Sequence, residues 1–178
     1  MVFKAIQERF KVKSALKYLE DELGNSKNPS DRKKGITSIG CIVDMDNFSN
    51  AEVFYELLKD FSLAPNAIQI IGYKRDNDKN TPFSIQFFTD KELGWNGTIE
   101  NGHVSEFVGR EYDLLINYFN EDRLLLKLLS ARANARLKVG FSGVDAKVND
   151  LIFNSPMSDF QTFKNELKKY LKVLKEIA

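Results

Sequence analysis

Histidine, cysteine and tryptophan each occur once in this 178-residue chain, as His103, Cys41 and Trp95. One histidine and one cysteine exclude a zinc site built on those ligands. A lone Cys41 excludes an internal disulfide, and its place inside an apolar run marks a buried, inert thiol. No nucleophile elbow accompanies His103, which removes a Ser-His-Asp triad. Neither a G-x-G-x-x-G turn nor a Walker lysine loop follows any expected strand, so the usual nucleotide fingerprints are missing. No apolar run approaches the roughly eighteen residues of a membrane span. The first residues, MVFKAIQERFKVKS, carry charges throughout and lack the apolar stretch of a secretory signal. Cytoplasmic residence is expected. Charge of one sign is lacking too: 26 basic against 25 acidic residues give a net charge of +1. That balance excludes a broad, non-specific grip on nucleic acid and leaves room only for a local basic patch.

What is present is an ordinary globular composition, 43% hydrophobic and 29% charged, long enough for one continuous core. The organising stretch runs from Gly109 to Gly143. Asp113 to Tyr118 has the length of a buried strand, Asn120 can cap a helix, and Leu124 to Ala135 carry that helix forward. Leu137 to Phe141 is a second strand. Strand, helix, strand is a βαβ unit, and such units build parallel sheets with right-handed crossovers. A second unit lies upstream. Ile36 to Asp44 is a β-branched strand, and Ser49 with Glu52 offers a capping box for a helix through Val53, Phe54, Leu57, Leu58 and Phe61. Ala67 to Tyr73 is the strand that follows. Phe83 to Thr89 reads as a further strand, a short helix passes through Val104, Phe107 and Val108, and Leu151 to Phe153 reads as an edge strand. Ser158 and Gln161 form a capping box for a closing helix.

The expected architecture is therefore α/β: a small doubly wound sheet, Rossmann-like or flavodoxin-like, mostly parallel, with helices on both faces. Residues 1–24 form an N-terminal amphipathic helix, residues 25–35 a polar linker, and residues 36–178 a single α/β domain. The helix has a divided apolar stripe: Phe3, Ile6 and Phe10, then Val12, Leu16, Leu19 and Leu23. Lys4, Arg9, Lys11, Lys13 and Lys17 make it basic. Such a helix suits docking to an acidic protein partner, to RNA or the ribosome, or to a membrane surface through residues 1–19. Trp95, bounded by Gly94 and Gly97, is a further candidate partner anchor.

In open α/β sheets, ligands bind beyond the carboxyl ends of the strands. Residues near those ends, Asn47, Lys74, Asn117, Ser142 and Gly143, are the candidate ligand pocket. The first strand ends in Asp44-Met45-Asp46-Asn47. An apolar strand leading into Asp-x-Asp resembles the first motif of haloacid-dehalogenase-type phosphotransferases. The resemblance implies Asp44 as nucleophile, Asp46 as acid/base, and Mg²⁺ held between them. The Gly or Thr expected after the second Asp is replaced by Asn47 and Phe48, and no flap separates strand from helix. No other metal site and no other cofactor is expected.

Two wider resemblances bear on the chain. Tyr112-Asp113-Leu114, Ile116 and Val139-Gly140-Phe141 make residues 112–141 similar to part of the N-terminal domain of heptosyltransferase-like glycosyltransferases. That likeness implies a βαβ topology; the second, sugar-nucleotide domain of those enzymes has no counterpart here. Over its full length the chain resembles an uncharacterised family of small α/β proteins from Bacteroidetes-type bacteria. The Ile39 to Asp44 strand, the Phe87 to Trp95 segment, Asp113 to Gly140 and the Phe163 to Tyr170 helix carry it. The resulting expectation is a non-catalytic α/β domain that works through protein contacts and docks by its basic N-terminal helix. The alternatives are the Mg²⁺-dependent phosphohydrolase and an RNA- or ribosome-associated factor.

Overall fold

The computed structural model describes residues 2–25, 33–76 and 84–178. A long helix, α1 (Val2–Gly24), precedes β1 (Ile39–Asp44), and a short 3₁₀ turn leads into α2 (Glu56–Asp60) and β2 (Ile68–Lys74). Then come β3 (Phe87–Thr89), α3 (Gly102–Val108), β4 (Glu111–Tyr118), α4 (Leu124–Arg132), β5 (Asn134–Phe141), β6 (Leu151–Phe153) and α5 (Phe160–Val173). The strands form one six-stranded sheet in the order β3-β2-β1-β4-β5-β6, and every neighbouring pair is parallel. This is the Rossmann-type doubly wound order, not the flavodoxin one.

An all-parallel sheet must be covered on both faces, so its central strands are apolar on both. Every residue of β1 is buried. On one face, Phe54 and Leu57 join Phe160, Phe163, Leu167 and Leu171 of α5 over Ile39, Cys41, Val43 and Ile116. On the other, α1, α3 and α4 bring Leu19, Phe107, Leu126 and Leu129 over Ile42, Ile71 and Leu115. The many phenylalanines belong mainly to the first layer. The Tyr118 ring sits 4.7 Å from Phe48, 4.9 Å from Phe54 and from Phe141, and 5.1 Å from Phe163, centroid to centroid. Its hydroxyl donates to the Met157 carbonyl at 2.7 Å, so the phenol is satisfied within the core.

Both expected βαβ units form, as does the β6 edge strand. The caps differ. Asn120 does not cap α4; Arg123 holds the N-cap position without a side-chain bond. Ser49 and Glu52 do not make a capping box, because a 3₁₀ turn (Ala51–Tyr55) takes up most of that helix. Glu52 instead accepts a hydrogen bond from Ser84. The closing helix is capped by Asp159, which accepts from the Thr162 amide at 3.0 Å, and not by Ser158. The third strand starts at Phe87; the expected start at Phe83 and residues 26–32 of the expected linker lie outside the described residues.

At the amino ends of the strands the chain is clamped by charge. Arg136 of β5 grips Glu176 through two hydrogen bonds of 2.6 and 2.7 Å, and Glu176 also accepts from the Gly35 amide at 2.8 Å. Asp113 accepts from the Thr37 amide, the Thr37 hydroxyl and the Ser38 amide at 2.9, 2.7 and 3.1 Å, with Arg136 3.8 Å away. Arg136 holds the Glu176 carboxyl below the usual carboxylate range. Burial alone would push Asp113 up, but its donors from Thr37 and Ser38 win and it too is lowered. A carboxylate with a depressed folded-state pKa contributes stability above its unfolded pKa, near 4, and loses it as pH falls. We therefore expect Arg136→Met, which strands two buried carboxylates, to destabilise the fold by about 3 kcal/mol at neutral pH. The deficit should shrink towards pH ~3, as the carboxylates protonate. Urea denaturation of both proteins at both pH values measures this, and a deficit independent of pH contradicts it.

Candidate functional site

The strand order reverses between β1 and β4, so a crevice opens beyond their carboxyl ends. The residues around it come from loops that follow β1, β2, β3 and β4. Asp44 closes β1 and is fully buried. Its carboxylate accepts from the Asp46 amide at 3.1 Å and from the Asn47 side chain at 2.8 Å. Asp46 turns back to accept from the Arg75 amide at 2.9 Å, which ties the β1 loop to the end of β2. Arg123, at the start of α4, stands over all of them. Its guanidinium lies 3.7 Å from Asp44 and 3.8 Å from Asp46, donates to Glu121 through Nε at 2.9 Å, and sets Nη2 2.6 Å from the same carboxylate as an ion pair. Nη1 reaches the Tyr73 hydroxyl at 3.4 Å, and that hydroxyl donates to Asp90 at 2.8 Å.

Burial and charge set the titration of this cluster. Burial pushes the Asp44 carboxyl up, and the Asn47 bond and Arg123 only partly offset it. Burial also pushes the Tyr73 phenol up to about 12, so it stays protonated and serves as donor to Asp90. Glu121 is lowered by its bonds from Arg123 and Asn47. Two clefts flank the guanidinium. One, of about 470 Å³, has apolar walls from Val12, Leu93, Leu124 and Leu125. The other, of about 380 Å³, is polar and includes Asp46, Asn47, Lys74 and Arg75. Among the described residues, no three His, Cys, Asp or Glu side chains are grouped to hold a metal ion.

The structure thus brings Asp44, Asp46, Asn47 and Lys74 into one site, as their strand-end positions suggest. Asn117 is elsewhere. It is buried under α4, where its amide donates to Ser130 and to Asn149, each at 2.8 Å. Ser142 and Gly143 line neither cleft. Gly143 has a φ of +99°, and a Cβ there would stand 2.7 Å from the Asn120 carbonyl oxygen, so its glycine answers to backbone packing. Arg123, Glu121, Tyr73 and Asp90 are absent from the sequence-based site. The signal for Arg123 is a cation directly after a strand-end acidic pair; the Asp-x-Asp strand end has no cation of its own nearby in the chain and needs one from another loop.

Helix α1 is the second feature. Its later half packs on the domain through buried Ala15 and Leu19. The Trp95–Gly97 turn supports it: the Asn96 amide donates to Ser14 at 3.1 Å, and Arg132 covers the Tyr18 ring at 4.2 Å. Gly97, at φ +68°, lets this turn approach, since a Cβ would lie 2.8 Å from Leu128 and 2.9 Å from Tyr18. Before Lys11 the helix touches little: Val2 through Phe10 are all exposed. The apolar side chains are not confined to one amphipathic face, because Ala15 and Leu19 point inward while Phe3, Ile6, Phe10 and Leu16 are exposed. Lys4, Arg9, Lys13 and Lys17 are exposed, Lys11 is half-buried and 3.7 Å from Glu8, and Trp95 is exposed beside the helix. No helix of the described residues is long and apolar enough to cross a membrane.

The chain belongs to a family of unknown function (DUF6913), whose sequence profile matches residues 11–174. No curated protein matches the chain. The matched span takes in the whole sheet and both layers, and begins at Lys11, where the exposed start of α1 ends.

The buried Asp44 gives a test of the site's electrostatics. Its folded-state pKa is raised, so keeping it ionised opposes folding, and that opposition grows as pH rises from about 4 towards neutrality. Asp44→Asn keeps an acceptor for the Asp46 amide. The variant should therefore gain stability relative to wild type between acid and neutral pH, read as a shift in urea midpoint. A variant that loses ground as pH rises would show that the ion pair with Arg123 outweighs desolvation.

Proposed function

We propose that this protein is a docking module without chemistry of its own, which binds a protein partner through the first turns of α1. The observation that carries the reading is the exposure of Val2 to Phe10, with Phe3 at 74% and Phe10 at 57%. Large apolar side chains exposed on a helix leave apolar area in water, and a partner groove recovers it. Lys4, Arg9 and Lys13 flank those side chains, so the groove that fits is apolar with a carboxylate rim. This is helix-in-groove recognition, with charge setting orientation and on-rate. Cytosolic residence and a bacterial source belong to the same reading.

The phosphohydrolase alternative is disfavoured by the surroundings of Asp44. A carboxylate nucleophile must reach its substrate, whereas Asp44 is fully buried and occupied by Asn47 and the Asp46 amide. A guanidinium, not an open cation position, faces both aspartates.

Deleting residues 1–24 would strip Ala15 and Leu19 from the core, so substitution is the cleaner test. A photo-crosslinking phenylalanine at position 3 or 10, activated in the native cytosol, should give one dominant protein adduct. Charge reversal of Lys4, Arg9 and Lys13 to Glu should abolish that adduct while leaving the thermal midpoint unchanged. No adduct, or adducts with RNA or phospholipid in place of protein, would overturn the proposal.

A further inference from the structure

The anion position on Arg123 is filled by the protein's own Glu121, and the way it is filled points to a ligand. Glu121 sits on the exposed loop after β4, with a side chain 48% exposed, against 14% for Arg123. One of its carboxylate oxygens accepts from Arg123 Nε and lies 2.6 Å from Nη2, and the other accepts from Asn47 at 3.1 Å. A guanidinium and an amide thus converge on one carboxylate at the reversal point of the sheet. The carboxylate belongs to a side chain that is about half in solvent. Among the described residues Nη1 makes one hydrogen bond, to the Tyr73 hydroxyl, and Nη2 makes none beyond its ion pair with Glu121. Beside the guanidinium lies the cleft of about 470 Å³, within the range of about 300–1,000 Å³ usual for small-molecule sites. Val12, Leu93, Leu124 and Leu125 give it an apolar wall.

We propose that this cleft binds a small amphiphilic carboxylate, its apolar body against Leu93, Leu124 and Leu125 and its carboxylate on Arg123 and Asn47, where it displaces Glu121. Local charge favours a monoanion. Around Arg123, Arg75 and Lys74 stand Asp44, Asp46, Asp90 and Glu121; Asp76 is 3.9 Å from Lys91, and Glu8 is 3.7 Å from Lys11. A ligand carboxylate replaces the departing Glu121 charge for charge. A dianionic phosphate would add an uncompensated negative charge beside Asp44 and Asp46. The site is independent of the docking proposal, although Glu8 and Val12 of α1 border it.

The test is a titration of the full chain with octanoate and 3-phenylpropionate, with octanol and octyl phosphate as the neutral and dianionic controls, followed by amide and methyl NMR. Both carboxylates should shift Tyr73, Leu93, Leu124 and Leu125. In Glu121→Gln, an exposed change that leaves the core intact, their affinity should rise about tenfold, the scale of one charge-assisted bond no longer in competition. Arg123→Gln should remove carboxylate binding. The proposal is overturned if neither carboxylate shifts these residues in Glu121→Gln, or if that variant binds no tighter than wild type. It is equally overturned if octanol binds as well as octanoate, or if octyl phosphate binds tighter.

Discussion

Everything in this molecule depends on β1 and β4 lying side by side in parallel. The chain walks outward from β1 to β3, returns across the sheet, and walks outward again from β4 to β6. Two parallel strands can be joined only by a crossover, and each crossover lays an element over one face, so both faces become dry. Loops leaving β1 and β4 diverge to opposite sides, and the gap between them is where polar groups can gather without interrupting the ladder. Asp44 illustrates the consequence. It ends a strand buried on both faces, so its charge is tolerable only with donors at hand, and the next residues supply two of them. The remaining charge must come from across the gap, and Arg123 occupies that place.

How legible was this in the sequence? The long, β-branched or leucine-rich runs announced β1, β2, β4 and β5 because buried parallel strands have no polar alternation to confuse them. Order within the sheet was open in the sequence between the Rossmann-like and flavodoxin-like arrangements, since right-handed crossovers permit both. Cap chemistry was less legible. Asn120, Ser49 and Ser158 each have the right residue type, but tertiary contacts chose Arg123, Asn50 and Asp159 as the N-cap positions. In the case of Ser49, the segment beyond it folds mainly as a 3₁₀ turn, in which Phe54 reaches the aromatic cluster around Tyr118. Packing of one ring outweighed a cap worth about 1 kcal/mol.

The site was half legible for a related reason. Asp44, Asp46 and Asn47 share one loop, so a strand-end pattern points to them together. Arg123 and Tyr73 lie 79 and 29 positions beyond Asp44 in the sequence, and only the sheet brings them within reach. Without Arg123, Asp-x-Asp reads as a metal-assisted nucleophile; the structure adds a guanidinium 3.7 Å from Asp44 and 3.8 Å from Asp46, which the sequence pattern does not contain. Asn117 misled in the opposite direction. It sits near a strand end in sequence, but α4 covers it, and its NH2 donates to Ser130 and Asn149. The likeness of residues 112–141 to a glycosyltransferase segment coincides with β4, α4 and β5, a unit of topology that leaves out Asp44, Tyr73 and Asp90.

Helix α1 borders both proposed sites. It is a layer of the core at Ala15 and Leu19, a wall of the cleft at Val12 and Glu8, and an unsupported projection from Val2 to Phe10. The Trp95–Gly97 turn holds the later half of α1 in place: Gly97 admits Tyr18 and Leu128, Ser14 takes the Asn96 amide, and Arg132 lies over the Tyr18 ring. The turn that reads in sequence as a partner anchor is thus, in its backbone, a support of the helix beside it.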